Sequence, residues 1–286
     1  MELKSLPDAK SHTACQKSQH FLTSAHQSVN GVLANLTELR KLHQQKTGRD
    51  PRGRLTESHE DLLRAAVLFT GAGLDATLKQ LLRDALPLVI DKSPEARDKF
   101  QTMVEKELAT STGIVDSKTL AQYLVAVDAR RALIERYVEV LTGGSLQSAE
   151  EVSKTAGALG VSDKALRSDI EQTGRFFKAR NENAHELDLQ HPSKPGDKTR
   201  RPRSVEIVDD CSSVFAIAQR LVNAVVDVIA ESSKAAATSP RSLLTRSPLD
   251  KVKRTIEKEN IAVAVSPPRP APGRPLNLER LRPDRS

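Results

Sequence analysis

Apolar residues recur along this chain at steps of three and four, the spacing that lines one face of an α-helix. No period-two stretch of useful length, as a half-buried strand would need, is found. Leu22, Ala25, Val29, Leu33, Leu36 and Leu39 predict a helix over about 11–45, ended by the turn-rich run Gly48-Arg49-Asp50-Pro51-Arg52-Gly53. Ser58 is expected to cap a second helix, with Leu63, Ala66, Thr70, Leu74, Leu78 and Leu81 inward, that stops at about Leu86 before Pro87. Ser93-Pro94-Glu95 reads as an N-cap followed by proline at the first helical position, opening a helix to about Leu108. Further helices are predicted over 117–141, from Ser148 to about Ala156, and from a Ser162 cap to about Leu187. After a Pro-, Gly-, Lys- and Arg-rich loop over 190–203, Ser204 starts the most regular pattern of all, with Val208, Cys211, Phe215, Ala218, Val222, Val225 and Ile229 at helical spacing. The expected fold is all-α: an antiparallel helical bundle with residues 1–54 as a long N-terminal helix and linker, 55–233 as the main helical domain, and 234–286 as a flexible tail. No internal repeat is apparent.

Composition agrees with packed helices, since only six Phe, two Tyr and no Trp are present. The start has no apolar run of signal-peptide length, and no segment reads as the roughly 20 apolar residues of a membrane span. Cys15 and Cys211 lack the spacing of a disulfide framework or zinc site and are expected to be small core hydrophobes in a reducing cytoplasm. Charge changes the picture only when it is located. The net +7 lies from Lys234 onward, where 12 Lys and Arg face 5 Asp and Glu; the preceding 233 residues carry 32 of each sign. That basic, Pro- and Ser-rich tail reads as disordered, with Pro267-Pro268-Arg269-Pro270-Ala271-Pro272 as an alternative docking peptide for an aromatic groove.

Two stretches invite a chemical reading. Gly71-Ala72-Gly73-Leu74-Asp75-Ala76 imitates the G-x-G-x-x-A dinucleotide fingerprint, which works only at a strand-to-helix turn. Helical periodicity runs straight through both glycines, so they are expected instead to let a neighbouring helix approach closely. The second stretch is Arg180-Asn181-Glu182-Asn183-Ala184-His185, late in an amphipathic helix. The other Arg-x4-His pair, Arg54 and His59, falls across a loop and a helix start. Asn181 and His185 are neighbours on one helix face, where the amide can hold the imidazole tautomer. Arg180 stands about 140° around the helix from His185 but can reach forward. The structural alternative pairs Arg180 and His185 with Glu182 or Glu186 on a solvated face. His12, His20 and His26 suit no metal ligand set, and the Lys194–Arg203 cluster reads as a solvated loop.

The Arg-Asn-x-x-x-His signature late in a penultimate core helix resembles the HEPN superfamily, and more closely its RiboL-PSP-type branch. The stretch from Leu141-Thr142-Gly143-Gly144 through Ala158-Leu159-Gly160-Val161, and the helix over 62–83 with Asp75 in its middle, add to the likeness, which covers about residues 55–232. The resemblance implies a bundle that dimerises to bring two motifs together and an endoribonuclease of the toxin or phage-defence kind, needing neither metal nor cofactor. On it, His185 is the general acid/base, Arg180 stabilises the phosphoryl charge, Asn181 orients the site, and Asp75 matches an acidic residue of the first core helix where Glu is commoner. Lys178, Lys198, Arg200 and Arg201 would gather RNA phosphates, and an antitoxin or regulatory protein is an expected partner. The alternative is a non-catalytic HEPN-like binding protein that dimerises with a partner.

Overall fold

The computed structural model describes residues 1–48, 55–109, 114–194 and 196–238. Arg54 lies outside them, as does the tail from 239 onward, expected to be disordered; residues 234–238, expected to open that tail, instead continue the last helix, which ends at Thr238. About 74% of the described residues are helical, and they form nine α-helices and no strand. Residues Met1–Thr238 pack as one unit.

Helix α1 (Gln16–Thr47) follows a 3-10 turn at Thr13–Cys15 capped by His12, and Gly48 ends it in the left-handed conformation (φ 66°). Helix α2 (Glu57–Lys92) is the axis of the protein: at 36 residues it is about 54 Å long. It touches α1 along its length, with the Lys17–Asp84 pair (3.9 Å) near one end and the edge-on rings of His43 and His59 (6.0 Å) at the other, so the two run antiparallel. The last helix, α9 (Ile207–Thr238), also lies antiparallel to α1: Gln19 meets Gln219, and His26 meets Phe215. It follows that α2 and α9 run the same way, whereas the sequence led us to expect antiparallel neighbours throughout. The intervening helices return the chain to where α2 began. They are α3 (Pro94–Leu108), α4 (Ser117–Leu124), α5 (Ala129–Thr142), α6 (Ala149–Ala158), α7 (Lys164–Glu171) and α8 (Gly174–Glu186).

Most of the expected inward residues are buried: Leu22, Val29, Leu33 and Leu36 from α1, all six from α2, and Cys211 to Ile229 from α9, while Leu39 is exposed. Both cysteines are free and buried, and burial pushes their thiols up to about 11 for Cys15 and about 12 for Cys211. At neutral pH they are packing groups, not nucleophiles.

Several boundaries differ from the sequence pattern. Helix α2 continues through Pro87. A proline in a helix interior costs about 3 kcal/mol, but Val89 and Ile90 beyond it are buried, each worth about 1.5–3 kcal/mol. The single helix expected over 117–141 breaks before Asp128, whose carboxylate accepts from the Arg131 N–H (2.9 Å). The exposed Val125 and Val127 offer no burial to hold the helix together across that point. The helix expected over 162–187 likewise breaks, at Gln172–Thr173, and its cap is Asp163 rather than Ser162. The turn redirects Phe176 and Phe177 into the core. The last helix begins at Ile207, three residues after Ser204.

Helix α9 also corrects the view that no segment is long and apolar enough for a membrane. Its stretch Ile207–Ala230 is long and apolar enough by length and composition, with a mean hydropathy of 1.6, and 56% of its most apolar 18 residues is buried inside the protein. Periodic polar residues such as Gln219 and Asn223 obscure it in the sequence; its apolar face packs against α1, α2, α7 and α8.

Thr56, not Ser58, caps α2 in a capping box in which the Thr56 hydroxyl accepts from the His59 N–H and the His59 Nδ1 accepts from the Thr56 N–H (3.4 Å each). Burial, and then His43 and Arg40, hold the His59 pKa below its ordinary value. A depressed histidine is protonated more readily in the unfolded chain, so its stabilisation is complete above about pH 6.5 and lost as pH falls below it. His59→Gln retains a box-competent side chain without the titration. Thermal melts from pH 7.5 to 5 should show a shallower acid-side fall in that variant than in the wild type; equal slopes would exclude His59 as the titrating group.

Candidate functional site

Helix α8 brings Arg180, Asn181 and His185 to one surface. The Arg180 Nη1 donates to Asn181 Oδ1 (2.9 Å) and makes a long contact to His185 Nε2 (3.5 Å). The guanidinium therefore reaches forward as the spacing allows, and it, rather than the Asn181 amide, meets the ring. For that contact to be attractive the Nε2 must present its lone pair. Asn181 and His185 are exposed and Arg180 is half-buried.

Arg180 has a seat prepared for it on α2. A Cβ placed on Gly71 would stand 3.2 Å from Arg180 Cγ and 3.1 Å from Gln147 Oε1, so a side chain there would make both give by a few tenths of an ångström. Gly73, two residues on, faces α1: a Cβ there would fall 2.3 Å from the Ala25 Cβ. The two glycines that imitate a dinucleotide fingerprint thus serve close approach, one to the Arg180 and Gln147 side chains and one to a helix. Asp75, one turn beyond Gly71, accepts from the Leu146 N–H (2.7 Å) and pairs with Lys79 (2.9 Å). Its carboxylate holds the 143–148 turn against α2.

The acidic neighbours of the motif are engaged elsewhere. Glu182 pairs with Arg203 (3.0 Å) and lies 3.6 Å from Arg201, and Glu186 pairs with Arg201 (2.8 Å). Among the described residues no carboxylate pairs with Arg180 or His185.

Those arginines belong to a network that the sequence did not reveal. Asp188, fully buried, accepts from Arg64 Nε (2.7 Å) and from Arg203 Nε (3.0 Å) and Nη2. Arg64 also reaches Glu60 (3.1 Å), Asp61 (3.0 Å) and the Arg201 carbonyl (2.8 Å), while its own carbonyl accepts from the buried Asn183 amide (2.8 Å). Burial disfavours the Arg64 charge, but hydrogen bonds to Asp188 and Asp61 outweigh it and raise its pKa. Leu187 and Asp188 both adopt positive φ (51° and 59°), and the Asp188 N–H closes the helix on the Glu182 carbonyl (3.0 Å). Such backbone in non-glycine residues costs about 1–3 kcal/mol each and persists where surrounding contacts over-determine it.

The 190–203 segment is accordingly pinned at its end rather than freely solvated. Arg200, paired with Asp61, and Arg201 have carboxylate partners within the chain, while Lys178 and Lys198 are exposed. Lys178 lines a cleft with Arg175, Glu182, Arg203 and Asp210, formed by α8 and the start of α9. A second hollow, between α2 and α5, is lined by Arg83, Pro87, Leu88, Ile134 and Val138 and contains none of the motif residues. Comparison with protein-family models, with curated proteins and with solved structures gives no match to this chain.

Proposed function

We propose that this protein is a HEPN-like endoribonuclease of the toxin or phage-defence kind that cleaves RNA in the cytoplasm without a metal ion. The observation that carries the proposal is an open guanidinium–imidazole pair, Arg180 with His185, whose flanking carboxylates are held by other arginines. A guanidinium with no carboxylate partner among the described residues, beside an exposed imidazole, suits a phosphodiester: one group holds the anion and the other moves the proton.

The ribose 2′-hydroxyl gives its proton to a His185 imidazole as its oxygen bonds to the adjacent phosphorus. The bond from phosphorus to the 5′-oxygen breaks, and that oxygen takes up a proton. Arg180 donates hydrogen bonds to the non-bridging oxygens, whose charge grows in the transition state. Asn181 fixes the guanidinium. Two copies related by a two-fold axis would place one imidazole as base and the other as acid. Leu68 and Phe69, 37% and 49% exposed on α2 just before Gly71, are apolar side chains that such a pairing could cover. A second assignment is a non-catalytic HEPN-like protein that binds a partner such as an antitoxin or regulatory protein through the same fold.

Single-stranded RNA incubated with the protein in EDTA should yield fragments ending in a 2′,3′-cyclic phosphate and beginning with a 5′-hydroxyl, identified by mass spectrometry. Fragments with 5′-phosphate ends, or cleavage abolished by EDTA, would overturn this mechanism.

A further inference from the structure

We infer that Gln147 is a specificity-determining residue that contacts the base beside the phosphate held by Arg180; the inference rests on the ribonuclease assignment above. Gln147 is placed by its neighbours on both sides. Leu146, buried, is tied to α2 through its N–H and Asp75 (2.7 Å), and Ser148 caps α6 by accepting from the Glu151 N–H (3.2 Å). Held between these anchors, the half-buried Gln147 turns its carboxamide to the Gly71 gap that Arg180 also enters. Its Oε1 stands 3.1 Å, and the Arg180 Cγ and Nε stand 3.2 and 3.6 Å, from the single point a Gly71 Cβ would occupy.

Two side chains from distant parts of the chain thus meet over one glycine, and their chemistries divide the work. A guanidinium offers only donors, which suits phosphate oxygens. A carboxamide offers a donor and an acceptor side by side, which a phosphate does not need and a base edge does. Single-stranded RNA exposes that edge once its bases are unstacked. The first of these anchors accounts for Asp75: it is a positioning residue that fixes the turn carrying Gln147.

Cut sites on a mixed-sequence single-stranded RNA, mapped by sequencing, test the inference in the full-length chain. Gln147→Ala should lower overall cleavage and change the preference for the base flanking the cut by about fivefold or more. Gly71→Ala should perturb the same preference, because its methyl group enters the shared gap. It should melt no lower than the wild type, because alanine suits a helix interior better than glycine. An unchanged cut-site distribution in Gln147→Ala overturns the inference while leaving the nuclease assignment standing. If the wild type cuts no RNA, that assignment falls, and binding of A, C, G and U homo-oligonucleotides decides the inference instead. Relative affinities identical in wild type and Gln147→Ala, or no binding at all, then overturn it; altered ratios uphold Gln147 as a base contact without cleavage.

Discussion

His185→Ala is expected to slow RNA cleavage by about 10²–10⁴-fold, the usual loss when an acid/base group is removed, with the melting temperature nearly unchanged. The asymmetry follows from where the side chain stands. His185 is exposed, and its contact with Arg180 is long, at 3.5 Å. Exposed substitutions of this sort stay within about 0.5 kcal/mol of neutral. Arg180→Ala should lower cleavage by about 10²–10³-fold through loss of donors to the developing phosphoryl charge, again without unfolding the chain. Single-turnover rates in EDTA, measured beside thermal melts of the same preparations, separate chemistry from folding. Cleavage that survives both substitutions sinks the nuclease assignment. Growth of cells expressing the wild type or His185→Ala distinguishes the two functional assignments: toxicity lost in the variant supports catalysis, and equal growth supports partner binding.

Asp188→Ala is expected to destabilise the protein by about 3–5 kcal/mol, because it removes the fully buried carboxylate shared by Arg64 and Arg203 and leaves them only the more peripheral Glu60, Asp61 and Glu182. The Arg64 and Asp188 side chains are 5% and 0% exposed, so water cannot replace the lost partner. The strained backbone at Leu187 and Asp188 would also lose the contacts that hold it. For a unit of this size the loss corresponds to a fall in melting temperature of about 6–20 °C, read by calorimetry alongside urea denaturation. Asp209→Ala is the control: its pair with Lys4, at 3.0 Å, is open to solvent on both sides and should matter by less than about 1 kcal/mol. A loss below about 1 kcal/mol in Asp188→Ala would show that the network adds nothing to stability. Since Asp188 lies three residues past His185 and closes α8, its removal should also loosen the motif, so the activity of Asp188→Ala should fall at temperatures where His185→Ala is still folded.

The local order of this protein is legible in its sequence. The inward faces of α1, α2 and α9, the Ser93–Pro94 start of α3 and the Ser148 cap of α6 all depend on residues within one or two helical turns. Arg180, Asn181 and His185 could be found for the same reason: they lie within six consecutive residues, and helix geometry alone sets how near they come. The chemistry around them could not be read that way. Asp188 looks like an ordinary loop carboxylate until Arg64, 124 residues earlier, is placed against it. Arg200 and Arg201 look like free phosphate contacts until Asp61 and Glu186 take them. Gln147 carries no signal at all before Gly71 and Arg180 meet it. Even Pro87 reads as a stop until burial of the residues beyond it outweighs its cost.

Periodicity and capping act through neighbours along the chain, so the sequence by itself determined which segments are helical and where an imidazole and a guanidinium share a surface. Ion pairing, close approach over glycine and burial act through neighbours in space. Only the tertiary structure decided which charges are satisfied, which remain open to a ligand, and which side chains stand beside them.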